Sequence, residues 1–228
     1  MTSIFMSFGE QIYHTLKERI LNNYYAPGVM LQIDKLAEEM GVSSTPIRET
    51  LFKLHNIGLV KMIRNKGALV SDIDEKMARN VWQFRALLEI SAAREAVPHI
   101  DVSHVSLIKG EIERCLQDPS NFELYQKTDR ELHLLICDNA ENDLVKEALK
   151  NLMDHSRRVR YFAESIPLLD NILTEISNEH LIIVESLLTR NVDKVVEALT
   201  LHLSQAEERT LCALSNLREE KMTVADQP

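Results

Sequence analysis

The sequence predicts a mainly α-helical protein in two parts, an N-terminal winged helix-turn-helix followed by an all-α antiparallel helical bundle. Three observations carry this reading. Gly and Pro are scarce, six of each in 228 residues, while Leu, Glu, Ala and Ile are plentiful, which is the composition of helices. Three helical runs in the first 71 residues are followed by two short strand-like runs around a basic, Gly-containing tip. From residue 72 onward there is no strand signal, only helical runs separated by caps and breakers.

The elements follow in order. FGEQIYHTLKERILN (8–22) spaces Ile12, Leu16 and Ile20 one turn apart. Asn23 can close that helix in a left-handed conformation, and APG at 26–28 is a turn. DKLAEEM (34–40) is a second helix broken by Gly41. A third starts after Ser43, an N-cap by residue type, with Pro46 in the first turn where a missing N–H costs nothing, and Gly58 ends it. LVKMI (59–63), RNKG (64–67) and ALV (68–70) read as a two-stranded hairpin. Residues 1–71 therefore form the winged head and 72–76 a hinge. The helices beyond are expected at 74–96, 101–117 (capped by Asp101), 120–138, 142–164, 168–189 and 191–217 (capped by Asn191), with a frayed polar tail from 218 to 228.

Composition excludes several classes. No apolar run approaches the ~18 residues of a membrane span. MTSIFMSFGE lacks a basic segment followed by an apolar stretch, which argues against secretion. Cys115, Cys137 and Cys212 are widely spaced and odd in number, the usage of free thiols in a reducing cytoplasm. The net charge of −9 is uneven: residues 1–71 carry eight Lys/Arg and six Asp/Glu, and the rest 18 and 29. The span 42–71 has Arg48, Lys53, Lys61, Arg64 and Lys66 against Glu49 alone. A basic patch on an acidic chain suits an anionic partner, although a solvated charged face is the commoner explanation.

The third helix has a reason to enter a DNA major groove. Ser44, Thr45 and Arg48 crowd its N-terminal end, where hydroxyls, a guanidinium and the helix dipole meet phosphates or base edges. Arg64, Lys66 and Gly67 at the hairpin tip would reach the adjacent backbone or minor groove.

In the second part, Asp129 and His133 lie four residues apart in DRELHLLICD and so share a helix face. His180 (NEHLIIV) and His202 (LTLHLSQ) also sit in apolar helical contexts, whereas His99, His104 and His155 sit among polar residues. A single histidine on an apolar face is usually a hydrogen-bonded core residue. Three on separate helices beside a carboxylate are also a suitable ligand set for Zn²⁺, Ni²⁺ or Mn²⁺ with positions left open. Cys137, one turn past His133, is a small core residue or abuts the ion. Arg85 is a candidate buried cation for an effector carboxylate, or simply the partner of Glu89 one turn on. Arg157, Arg158 and Arg160 are alternatives to Arg85 in that role, but a run of charges is usually a solvated face.

The segment LAEEMGVSSTPIRETLFKLHNIGLVKMIRNKGALV, with the preceding Pro27-Gly28, resembles the N-terminal domain of GntR-family transcription regulators. Gly41, Val42, Ser43, Thr45, Pro46, Arg48 and Glu49 fit that family's helix-turn-helix, and Gly58, Leu59, Val60, Gly67 and Val70 fit its wing. One departure stands out: the family has Arg after the Ser, and this chain has Ser44, which cannot make a bidentate pair with guanine. The remainder resembles the FCD ligand-binding domain. Asp129, His133, His180 and His202 occupy its D-x-x-x-H, second-His and third-His positions, FRALLE (84–89) its first-helix motif and AEND (140–143) a turn. Residues 77–217 would be this domain, and the likeness runs over about 10–215. The resemblance implies a homodimeric, metabolite-responsive regulator of a palindromic operator, a repressor in preference to an activator. It implies a divalent metal, zinc before nickel or manganese, and a small carboxylic or sugar acid as effector. Two other readings stay open: a metal-dependent hydrolase fused to a DNA-binding head, and a DNA binder with a purely structural helical domain.

Overall fold

The computed structural model describes residues 7–164 and 171–225. The chain divides into two compact units, Met1–Asp74 with Arg157–Phe162, and Glu75–Ser156 with Ala163–Pro228.

In the first unit, α1 (Phe8–Leu21) begins with a capping box. The Ser7 hydroxyl accepts from the Glu10 amide, and the Glu10 carboxylate accepts from the Ser7 amide, so two otherwise orphaned donors are satisfied. Asn23 follows in a left-handed conformation, φ 55°. β1 (Met30–Leu31) leads into α2 (Ile33–Met40), which Gly41 ends at φ 66° while the Val42 amide donates to Ala37 O at 2.9 Å. That left-handed glycine turns the chain directly into α3 (Ser44–Asn56), the helix-turn-helix geometry. Ser43 occupies the N-cap position of α3 but makes no side-chain capping bond. Leu16, Ile20, Ile47, Leu51 and Leu54 pack with Leu31, Val60 and Val70 of the sheet as one apolar core.

The wing differs from the two-stranded hairpin expected. β2 (Val60–Ile63) and β3 (Gly67–Val70) pair antiparallel, and β1 adds a third strand on the far side of β3, in the order β1-β3-β2. Met30 faces Leu69 and Leu31 faces Ala68. Gly67 explains how β1 can come so close. Its φ is 122°, and a Cβ there would stand 2.0 Å from the Leu31 carbonyl oxygen. Only glycine admits both that conformation and that approach.

The second unit consists of helices and the short connections between them, with no strand among its described residues. α4 (Glu75–Ala96) packs against α6 (Phe122–Asp138) and α9 (Val192–Ala225), and α5 (Val102–Gln117) packs against α6 and α8 (Ile172–Leu188). α7 (Asp143–Glu164) completes the set, except for its Arg157–Phe162 stretch, which is counted with the first unit. Asp101 caps α5 through the Ser103 amide, and Asn191 caps α9 through the Lys194 amide. Ala92, Ile108, Ile112, Leu132, Ile136, Ile183 and Leu199 lie at the centre of the bundle's apolar core. α9 runs past the end expected at 217, as far as Ala225. The start expected for α8 at 168 falls outside the described residues. No helix among the described residues is long and apolar enough to cross a membrane.

Candidate functional sites

The helical unit gathers its chemistry at one point. α6 carries Asp129 and His133 one turn apart, α8 carries His180 and α9 carries His202; all four are buried. One ring nitrogen from each histidine lies within 4.8 Å of the others. Asp129 Oδ1 is 3.5 Å from His180 Nε2 and 3.8 Å from His133 Nε2. The rings pack on one another, His180 and His202 with centroids 4.8 Å apart and His133 and His202 5.3 Å apart, while Tyr125 stacks on His180.

What surrounds the imidazoles sets which nitrogen each presents. Glu89 of α4 bonds His133 Nδ1 through Oε1 and accepts from Arg85 Nε through Oε2 at 2.9 Å. Arg85 also donates to the Ser156 hydroxyl at 3.1 Å and lies over the Trp82 ring. Burial alone would raise the Glu89 carboxyl, but the charges and hydrogen bonds of His133 and Arg85 outweigh it and hold its pKa at about 2. An ionised Glu89 can only accept, so Nδ1 of His133 is the donor in this bond and Nε2 is the nitrogen turned toward the shared point. That Nε2 is buried and makes no hydrogen bond. His202 repeats the pattern: Nδ1 donates to Glu179 Oε2 at 2.7 Å. Burial pushes the His202 pKa down to about 4 against the pull of Glu179, with the His133 charge lowering it further. His202 is therefore neutral near pH 7, with Nε2 left for the shared point.

The donor set fits a divalent ion. Metal–nitrogen bonds of about 2.0–2.1 Å limit two ligands of one ion to about 4.2 Å apart, so a spread within 4.8 Å closes with sub-ångström movements. A buried imidazole nitrogen without a hydrogen bond is costly in a dry core, and coordination to an ion would satisfy it.

Other candidates resolve differently. Cys137 belongs to the apolar core, its thiol donating to the Lys146 carbonyl at 3.6 Å. Burial, and then Asp138, push its pKa up to about 11, so it is a core thiol. The run at 157–160 is a correction: Arg158 is 0% exposed and Arg160 is also buried, so this is no solvated face. Arg158 donates to the Ser71 carbonyl within the first unit, and burial brings its pKa down to about 10. The sequence reading saw Glu89 only as Arg85's partner and missed Glu179 and Arg209. Their signals were spacings: Glu89 one turn from Arg85, Glu179 adjacent to His180, Arg209 two turns beyond His202.

In the first unit, Thr45 and Arg48 are exposed on the first turns of α3. Ser44 is half-buried, its hydroxyl donating to Asp34 of α2 at 3.2 Å. At the wing tip Arg64 and Lys66 are exposed on either side of Asn65, which adopts φ 59°. Gly67, grouped with them in the sequence reading, is buried against Leu31. It shapes the wing and presents no surface to a ligand.

A winged helix-turn-helix with a basic tip, joined to a helical unit built around buried imidazoles, defines a transcription regulator. Residues 8–70 match the model of bacterial regulatory proteins of the gntR family, and residues 80–205 match the FCD domain. The chain belongs to the GntR family of transcription regulators, in the branch that carries an FCD domain, and not to the enzymes. Among its relatives is the HTH-type transcriptional repressor RspR of Escherichia coli (strain K12), 27% identical over 203 residues, 87% of each chain. Among solved structures, E. coli McbR/YncC superposes with a TM-score of 0.78 at 18% identity, covering 90% of this chain and 98% of that one. The Zn²⁺-bound FCD domain of TM0439 superposes with a TM-score of 0.54 at 23% identity, covering 63% of this chain and 98% of that one.

Proposed function

We propose that this regulator is a cytoplasmic, homodimeric, metabolite-responsive repressor whose FCD domain holds a divalent metal, zinc before nickel or manganese. The observation that carries the reading is the convergence of Asp129, His133, His180 and His202 from three helices, with His133 Nε2 buried and lacking a hydrogen bond. These four residues would hold the ion. The Zn²⁺-bound form of the TM0439 domain supports the choice of metal, and the repressor RspR supports the sign of regulation.

A bound ion would supply a Lewis-acidic position for an anionic effector, here a small carboxylic or sugar acid. The chain contributes the walls and the second charge. Arg85 is the candidate effector cation, held in place by Glu89, Ser156 and Trp82. Its guanidinium already serves Glu89, so an effector would share it. Two heads in a dimer would read a palindromic operator about one helical turn between half-sites. Arg48 and Thr45 would enter the major groove, Arg64 and Lys66 would touch the flanking backbone, and Ser44 would assist α3 chiefly through Asp34. Residues 72–76 would be the hinge, and an effector shifts operator affinity only as far as it binds one dimer arrangement better than another.

The test is elemental analysis of purified protein beside an operator gel shift. Wild type is expected to carry one divalent ion per chain. His133→Ala is expected to lose it and its effector response while still binding operator. Unchanged metal content in His133→Ala would remove the metal centre from the account.

A further inference from the structure

We propose that Glu179 and Arg209 are positioning residues for the metal centre, orienting His202 across the α8–α9 pair as Glu89 and Arg85 orient His133 from α4. The proposal rests on the reading of Asp129, His133, His180 and His202 as a metal site.

The geometry is a pair of parallel relays. In one, Arg85 Nε donates to Glu89, whose other oxygen bonds His133 Nδ1. In the other, Arg209 grips Glu179 with both guanidinium ends, Nη1 to Oε1 at 2.5 Å and Nη2 to Oε2 at 2.8 Å. Glu179 Oε2 also accepts from His202 Nδ1 at 2.7 Å. Each carboxylate thus has an arginine behind it and an imidazole in front, and each imidazole is left with Nε2 for the shared point. A carboxylate on the far nitrogen fixes the tautomer and ring orientation of a metal-binding histidine and raises its basicity.

The two relays are wired differently. Arg85 and Glu89 are one turn apart on a single helix, so the arginine–carboxylate pair is set within α4 itself. Glu179 is on α8, directly before His180, and Arg209 and His202 are two turns apart on α9. Successive residues point about 100° apart around a helix. One dipeptide of α8 therefore reaches two places, His180 toward Asp129 on α6 and Glu179 toward α9. His202 keeps its orientation only while α8 and α9 keep their register. Arg209 is suited to fixing that register because its planar fork matches a carboxylate at two points, which a lysine ammonium cannot do.

The experiment is a Zn²⁺ titration of the full chain against a chromophoric chelator, for wild type, Glu179→Gln and Arg209→Lys, with helicity of each metal-free protein followed by circular dichroism. Wild-type binding with a loss of about 10- to 100-fold in Glu179→Gln, and a smaller loss in Arg209→Lys, at unchanged helicity, is the expected result. Wild-type binding with undiminished affinity in Glu179→Gln overturns the positioning role and leaves the metal centre standing. Failure of wild type to bind Zn²⁺ overturns the metal centre, and the positioning role with it. A second measurement needs no variant: imidazole ¹⁵N spectra of the metal-free wild type are expected to show His202 protonated at Nδ1. Protonation at Nε2 instead would overturn the proposal even if the variants fail to fold.

Discussion

Glu89→Gln is the sharpest test of how the helical unit tolerates charge at its centre. Glu89 and Arg85 have side chains 0% and 4% exposed, joined at 2.9 Å. A glutamine keeps the size of the side chain and still offers its carbonyl to His133 Nδ1, so the substitution removes mainly the countercharge of Arg85. Breaking a buried pair by removing one partner costs about 3–5 kcal/mol, because the remaining charge is stranded. For a chain of this size about 1 kcal/mol shifts the melting midpoint by roughly 2–4 °C, so the expected fall is about 6–20 °C. The reporter is built in: Trp82 is the only tryptophan, it is buried in the helical unit, and the Arg85 guanidinium lies 5.4 Å from its ring centroid. Unfolding followed by its fluorescence, in chelator to keep metal binding out of the comparison, reads the site directly. The double variant Arg85→Met/Glu89→Gln discards both charges, keeps a carbonyl for His133 Nδ1, and is expected to regain most of the loss. A cost below about 1 kcal/mol for Glu89→Gln, or a double variant no better than the single, would refute the picture of an interdependent buried pair.

Two predictions concern the head. Arg48→Ala is expected to weaken operator binding by about 1–3 kcal/mol, roughly 5- to 150-fold in a gel shift; undiminished affinity would remove Arg48 from the reading surface. Gly67→Ala is expected to destabilise the head by at least about 1–3 kcal/mol, since its Cβ would stand 2.0 Å from the Leu31 carbonyl. Hydrogen exchange at the β1–β3 pairing should speed up, and unchanged protection there would contradict that contact.

Much of this architecture is visible in the chain itself, for local reasons. The helices announce themselves by apolar spacing and caps such as Asp101 and Asn191, because helix contacts close within four residues. β1 did not, because two residues show no alternation and Met30–Leu31 becomes a strand only through pairing with β3, some forty positions on. The shared face of Asp129 and His133 follows from one turn of α6. That His180 and His202 turn toward it depends on how α8 and α9 rotate when they pack, which spacing does not encode. The arginine run at 157–160 misled because charge alone says nothing of burial, and Arg158 finds a backbone carbonyl partner at Ser71. Glu179 and Arg209 were overlooked because the pairing is between helices, and only tertiary structure joins them.

The helical unit would hold together more cheaply without its polar centre, and this bears on the view that it is only a scaffold. Arg85, Glu89, Asp129 and three histidines are all buried where α4, α6, α8 and α9 meet. Replacing a buried ion pair by well-packed apolar residues is often neutral or stabilising, and an apolar core already lies alongside in Ile108, Leu132, Ile136 and Ile183. A scaffold would gain by extending that core through the site. Instead the chain maintains two carboxylates that hold imidazole Nδ1 atoms and a third, Asp129, beside the Nε2 atoms. On the proposed reading this arrangement would become favourable on binding a cation, whose charge would offset that of Asp129 and whose coordination would engage the buried Nε2 of His133. Binding would then also be a source of stability: an ion at 100 times its Kd would add about 2.7 kcal/mol, enough to link metal occupancy to the packing of the three helices that carry the four proposed ligands.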